Sequence, residues 1–263
     1  MSAVTAPDPA ALHVADLRKS FGGVRVLHDF ELTIPARSRA AVAILGQNGA
    51  GKTTLLNLIT RLIPADAGTI EVFGHNVLAA GARHLAGYGV ARTFQSPRLL
   101  LDETCLSNVV LGAQSIKRGR DGGNAAAMRR AAEALARVGL AAQAGRVAGT
   151  LPFGSRKLVE LARALALQPR LLLLDEPAAG LSDLEESRLA RVLTGLTDAG
   201  ITLLLIEHRM ALVAATAGRV VMMDGGAIVF DGDTAEAIAS PLVRERYLGA
   251  GFEQVKHEGR ERE

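Results

Sequence analysis

Short apolar runs alternate along this chain with segments whose apolar residues recur at helical spacing. Residues 41–45, 171–174, 201–206 and 220–223 are compact, mainly apolar runs bounded by polar residues or glycine. Such runs read as strands buried on both faces, the pattern of a parallel sheet. Between them, residues 155–167 place Leu158, Leu161, Ala162 and Leu165 one helical turn apart, and residues 184–196 and 210–217 are similar in kind. Strand, helix and strand in repetition predict an α/β fold with a parallel core.

The flanking segments read differently. Residues 12–17, 24–27 and 30–34 predict short strands, broken by Gly22-Gly23 and stopped by Pro35, and residues 69–73 add another after the turn Asp66-Ala67-Gly68. These predict an antiparallel sheet beside the parallel core. From residue 104 to 151 the strand pattern is lost and alanine dominates. Residues 125–138 have strong helix propensity there, and residues 119–124 ahead of them read as a loop. The expected organisation is one domain over residues 1–255, an inserted helical subdomain at about 96–166, and a charged, disordered tail at 256–263.

Composition limits the function classes. Hydrophobic residues make up 49% of the 263 and mean hydropathy is +0.21, yet the longest stretch free of charged residues, 104–116, is only thirteen residues long. A membrane-spanning helix needs roughly 20 mainly apolar residues, so none is expected. The 30 basic residues are 25 Arg and five Lys, scattered along the chain, and the net charge is only +3. With seven Phe, two Tyr and no Trp, the chain is poorly equipped to stack on single-stranded nucleic acid. A lone cysteine, Cys105, excludes an intrachain disulfide and suits a reducing compartment. Residues 1–9 lack the basic and apolar segments of a signal peptide, so the expected location is the cytosolic side.

The strongest chemical motif is Gly46-Gln47-Asn48-Gly49-Ala50-Gly51-Lys52-Thr53-Thr54, which satisfies G-x-x-x-x-G-K-[ST]. A glycine-rich turn can match that string by accident. Here an apolar strand runs into it and a helical segment, 54–62, follows, the context a phosphate-binding loop requires. The glycines let successive N–H groups face a phosphate, and the helix N-terminus adds partial positive charge. Lys52 is expected to reach the β- and γ-phosphates and the Thr53 hydroxyl to bind Mg²⁺.

Two further strands deliver polar residues at their carboxyl ends, where open α/β sheets place their sites. Leu171 to Leu174 lead into Asp175 and Glu176, suited to the Mg²⁺ shell and to polarising the attacking water. Pro177 directly after them makes a simple helix start a competing explanation. The run 201–206 leads into Glu207 and His208, whose imidazole is suited to the γ-phosphate.

With these motifs in order, the chain resembles the nucleotide-binding subunit of an ATP-binding cassette (ABC) transporter, a P-loop NTPase with a RecA-like core. The resemblance runs from about residue 12 to 250. It adds an aromatic adenine platform at Phe21, a Q-loop at Gln95, a signature region Leu151-Pro152-Phe153-Gly154-Ser155 and a D-loop at 179–182. It implies that ATP is held by Phe21, Gly46, Asn48, Gly49, Ala50, Gly51, Lys52, Thr53 and Thr54 of one subunit and by Gly154 and Ser155 of another, paired head-to-tail. Thr53, Gln95 and Asp175 would hold Mg²⁺, and Lys52, Gln95, Glu176 and His208 would be catalytic. Gln95 to Leu101 would couple hydrolysis to transmembrane permease subunits at the cytoplasmic face, with an extracytoplasmic solute-binding protein completing the system.

The chain also departs from the family pattern. The signature has Pro152, Phe153 and Ser155 where Ser, Gly and Gln are usual, and Ser182 stands where the D-loop has Asp. A missing hydrogen bond to a charged group costs roughly 1.5–3 kcal/mol, enough to slow hydrolysis without abolishing it. The signature, the Q-loop entry Ala91-Arg92-Thr93-Phe94, the run Glu176-Pro177-Ala178-Ala179-Gly180-Leu181 and the ending Tyr247-Leu248-Gly249 are together similar to one group. It comprises the ATP-binding subunits of high-affinity branched-chain amino-acid importers, with relatives that carry other small polar solutes. Two alternatives stay open: a regulatory nucleotide-binding subunit with weak hydrolysis, and a soluble ABC ATPase acting on nucleic acid or the ribosome.

Overall fold

The computed structural model describes residues 10–36, 38–115 and 123–244. The charged tail and the Tyr247-Leu248-Gly249 ending lie outside these residues. Among the described residues, ten strands form two sheets. In chain order, β1 (Leu12–Phe21), β2 (Val24–Ile34), β3 (Ala41–Leu45), α1 (Lys52–Ile59), β4 (Ala67–Val72), β5 (His75–Asn76), α2 (Val77–Ala80) and β6 (Val90–Arg92) come first. Helices α3 (Cys105–Gln114), α4 (Asn124–Arg137) and α5 (Phe153–Leu165) lie between β6 and β7 (Leu171–Asp175). Then follow α6 (Asp183–Asp198), β8 (Thr202–Ile206), α7 (Met210–Thr216), β9 (Ala217–Asp224), β10 (Ala227–Asp233), α8 (Thr234–Ala239) and a short α9 (Pro241–Val243).

The six-stranded sheet has the order β10-β9-β3-β8-β7-β6 and is parallel except for β10, which pairs antiparallel with β9 at one edge. Its central strands are buried on both faces. Ala41, Ala43 and Leu45 of β3 enter one core while Val42 and Ile44 enter another, and β7 and β8 divide in the same way. This is the two-residue strand period acting on an unbroken apolar run. One core lies against α3 to α7, the other between this sheet, α1 and the antiparallel sheet β2-β1-β4-β5.

Two sequence expectations change. The two predicted strands at 24–27 and 30–34 are one strand, β2, which continues through Asp29 in a left-handed conformation (φ 46°). A break in pairing register beside it marks the extra twist of a bulge. The signature helix α5 starts two residues earlier than expected, at Phe153, with Pro152 as its N-cap. The D-loop residue Ser182 caps α6: it shares reciprocal hydrogen bonds with Glu185 in a capping box, which gives this serine a local structural role. No helix among the described residues is long and apolar enough to cross a membrane.

Candidate functional site

β3, β7 and β8 end side by side, and each hands its next residues to the same end of the sheet. After β3 the chain curls through residues 46–51 into α1. Gly46 has φ 148°, and a Cβ there would stand 2.3 Å from the Met223 carbonyl oxygen, so only glycine fits this close approach. Lys52 is 6% exposed and bends back over the loop, its Nζ donating to the carbonyls of Gly46 (2.6 Å) and Gln47 (2.8 Å). Burial pulls the Lys52 pKa down, opposed by Glu176 and Asp175. Ala50 is buried in the loop, Asn48, Gly49 and Thr53 are exposed, and Thr54 is half-buried in the first turn of α1.

Glu176 sits directly after β7 in a left-handed conformation (φ 46°), unusual for a residue with a side chain. Its amide donates to Ile206 O at the end of β8 (2.9 Å). Its two carboxylate oxygens are divided between two partners. Gln95 Nε2 donates to Oε2 at 2.7 Å, and His208 Nε2 lies 2.7 Å from Oε1, donating in the tautomer protonated at Nε2. Three residues that the sequence put at separate positions along the chain therefore meet on one carboxylate.

Other predicted site residues lie elsewhere. Phe21 ends β1 with its ring 48% exposed and the Lys19 ammonium 5.1 Å from the ring centroid. Gly154 and Ser155 lie in the first turn of α5. A Cβ on Gly154 would meet the carboxylate of Glu185 at 2.2 Å, so this turn packs against the start of α6.

The ABC transporter profile matches residues 27–179, more than half of the chain. The chain belongs to the ABC transporter family. Members of this family are ATPases that power transport. Among relatives, the high-affinity branched-chain amino acid transport ATP-binding protein LivG of Salmonella typhimurium is 34% identical over 250 residues, covering 90% of this chain and 97% of that protein. The aliphatic sulfonates import ATP-binding protein SsuB of Cupriavidus necator is 38% identical over 247 residues, covering 94% and 75%. A crystal structure of an ABC transporter's ATP-binding cassette in its ADP conformation superposes with a TM-score of 0.80 at 28% identity, covering 93% and 100%.

Four charged residues of the cassette were not among the sequence-predicted site residues. Arg92, at the end of β6, makes a buried ion pair with Asp175 (2.8 Å) and donates to Asn57 Oδ1 (2.8 Å) and Thr60 Oγ1 (3.0 Å), joining α1 to the end of β7. Lys157 of α5 donates to the carbonyls of Glu176 (2.8 Å) and Pro177 (3.2 Å). Glu160 accepts from the amides of Phe94 (3.4 Å) and Arg98 (3.1 Å), on either side of Gln95. Glu207, 1% exposed, accepts from the amides of Ala178 (2.7 Å), His208 (2.8 Å) and Arg209 (3.0 Å), fastening the His208 backbone to Ala178. The signal available in the sequence was position: Lys157 falls on the same helical stripe as Leu161 and Leu165, where a charge needs an internal partner.

Proposed function

We propose that this chain is the ATP-hydrolysing subunit of a membrane importer for branched-chain amino acids or a related small polar solute, with Glu176 as general base. The carboxylate of Glu176 held between Gln95 and His208, at 2.7 Å from each, carries the reading. A base must be oriented toward its water, and two donors on one carboxylate fix that orientation. In this role Gln95, Glu176 and His208 act at the γ-phosphate while Gly46 to Thr54 wrap the phosphates and Phe21 supports the adenine.

Mg²⁺ fits the residues present. Thr53 offers a hydroxyl, Asp175 a carboxylate and Gln95 its amide oxygen, the hard oxygen donors this ion prefers, and phosphate and water supply the rest. The ion, when bound, neutralises developing charge on the phosphates.

Assembly follows the same reading. A second ATP-binding subunit pairs head-to-tail, presenting its Gly154 and Ser155 to the nucleotide, and permease subunits dock at the cytoplasmic face beside the Q-loop. Leu100 and Leu101 are 52% and 46% exposed there. The fully buried Asn108 of α3 holds Leu100 by both backbone groups, at 2.8 and 2.9 Å, so this apolar pair is presented by a fixed loop. LivG supports a branched-chain amino-acid cargo and SsuB marks the width of the family. An extracytoplasmic solute-binding protein completes the system. The test is purification from membranes in mild detergent, followed by uptake in vesicles. Recovery of permease subunits and ATP-dependent uptake of leucine, isoleucine or valine is expected. A complex that takes up neither a branched-chain amino acid nor another small polar solute, or tight salt-dependent RNA binding in place of a permease, contradicts the reading.

A further inference from the structure

The catalytic-end hydrogen bonds have an uneven distribution: Gln95 and Glu176 bond to each other, and both are also fastened to one helix. The segment holding Gln95 is fixed at both ends by Glu160, and the backbone after β7 is fixed by Lys157, one turn earlier on α5. Lys157 is 7% exposed and Glu160 3%, so neither is a surface residue resting against the loop.

Burying an ammonium is costly unless its donors are used, and α5 could have placed an apolar residue here at lower cost. Lys157 instead donates to the carbonyls of two consecutive residues, Glu176 and Pro177, across a backbone that is left-handed at Glu176. That conformation is costly for a residue with a side chain and persists where surrounding contacts determine it. The other holds on Glu176 are its amide to Ile206 O (2.9 Å) and its carbonyl from the Ala179 amide (3.1 Å). Burial lowers the Lys157 pKa, opposed by the charges of Glu207, Glu160, Glu176 and Asp175.

We propose that Lys157 is a positioning residue for Glu176, holding the backbone of residues 176–177 in the strained conformation that aims the carboxylate at Gln95 and His208. It touches neither nucleotide nor water in this role. This rests on Glu176 being the base. Lys157 should therefore affect turnover far more than nucleotide binding.

The experiment compares Lys157→Met, Lys157→Arg and Glu176→Gln in the full chain. Each variant is measured for kcat, for ATP affinity by titration calorimetry in the presence of EDTA, and for melting temperature. Lys157→Met, of similar length without a donor, is expected to lower kcat about 10- to 100-fold, the range for a catalytic group displaced by about 1 Å. Its ATP affinity should stay within about twofold, since the phosphate loop is untouched. Lys157→Arg restores donors and charge and should recover at least a third of the wild-type rate, on the order of the geometric tolerance involved. Should the methionine variant fail to fold, Lys157→Gln, too short to bridge both carbonyls, is expected to show the same loss of kcat with affinity kept. A Lys157→Met or Lys157→Gln enzyme with wild-type kcat, while Glu176→Gln is inactive, overturns the positioning role alone. Equal losses in kcat and affinity, without rescue by arginine, also overturn it, as a general packing defect. Wild-type turnover by Glu176→Gln removes the base itself and the proposal with it.

Discussion

Removal of the Arg92 guanidinium tests how the two ends of the nucleotide site are joined. Arg92→Met keeps most of the side-chain length while leaving the Asp175 carboxylate without its ion pair and Asn57 Oδ1 without this donor. Both partners of the pair are only 6% exposed, and burial already lowers the Arg92 pKa, so water cannot readily replace the lost charge. Breaking a buried pair by deleting one partner costs about 3–5 kcal/mol, much of it the penalty on the charge left behind. At about 2–4 °C per kcal/mol for a chain near this size, melting should fall by about 6–20 °C. The measurement is urea unfolding of the nucleotide-free protein for Arg92→Met, Asp175→Asn and the double variant. The double variant relieves the orphaned carboxylate, so its destabilisation should be smaller than the sum of the single changes by about 1–3 kcal/mol. A loss under about 1 kcal/mol for Arg92→Met, or a cycle that sums within about 0.5 kcal/mol, would show that the pair is not a stabilising link.

Two other expectations follow from the geometry. Gly46→Ala forces a Cβ to 2.3 Å from Met223 O, so both melting temperature and ATP affinity should drop, whereas Gly145→Ala, with open space around its Cβ, should stay within about 0.5 kcal/mol of wild type. Equal behaviour of the two in calorimetry would contradict the close approach. Glu160 has its pKa raised chiefly by burial, against the amide of Arg98 and the charge of Arg163. Folding therefore favours its protonated form, and its contribution to stability is largest below the ordinary glutamate range and is lost as pH rises from about 4 through the raised folded value. Urea melts between about pH 4 and 7 should show Glu160→Gln gaining on wild type as pH rises; parallel curves would refute that sign.

Much of the parallel core was legible because its strands carry unbroken apolar runs, which have few alternatives once flanked by helical segments. β10 was not, because its residues are half-buried or exposed and its alternation is weak. β2 was read as two strands because His28 and Asp29 interrupt its apolar positions, and the register break that accommodates Asp29 is a tertiary outcome. At the candidate site, Lys52, Asp175, Glu176 and His208 were picked out through strand ends and a known loop spacing, and the structure brings Glu176 and His208 together. Arg92, Lys157, Glu160 and Glu207 were passed over because an isolated charge beside apolar residues gives no hint of its partner until distant segments meet. Their shared property is burial: a charged side chain on an inward stripe has to be answered by a carbonyl, an amide or an opposite charge.

The most direct measurement is the steady-state ATPase rate of Glu176→Gln beside its affinity for ATP. The substitution keeps size and shape while removing the basic carboxylate, and it leaves one acceptor oxygen where Gln95 and His208 met two. A positioned base contributes about 10²- to 10⁴-fold, so turnover is expected to fall by at least about 100-fold with ATP affinity retained. Turnover equal to wild type would mean that Glu176 does not activate the water, and the hydrolytic role assigned to the residues around it would fall.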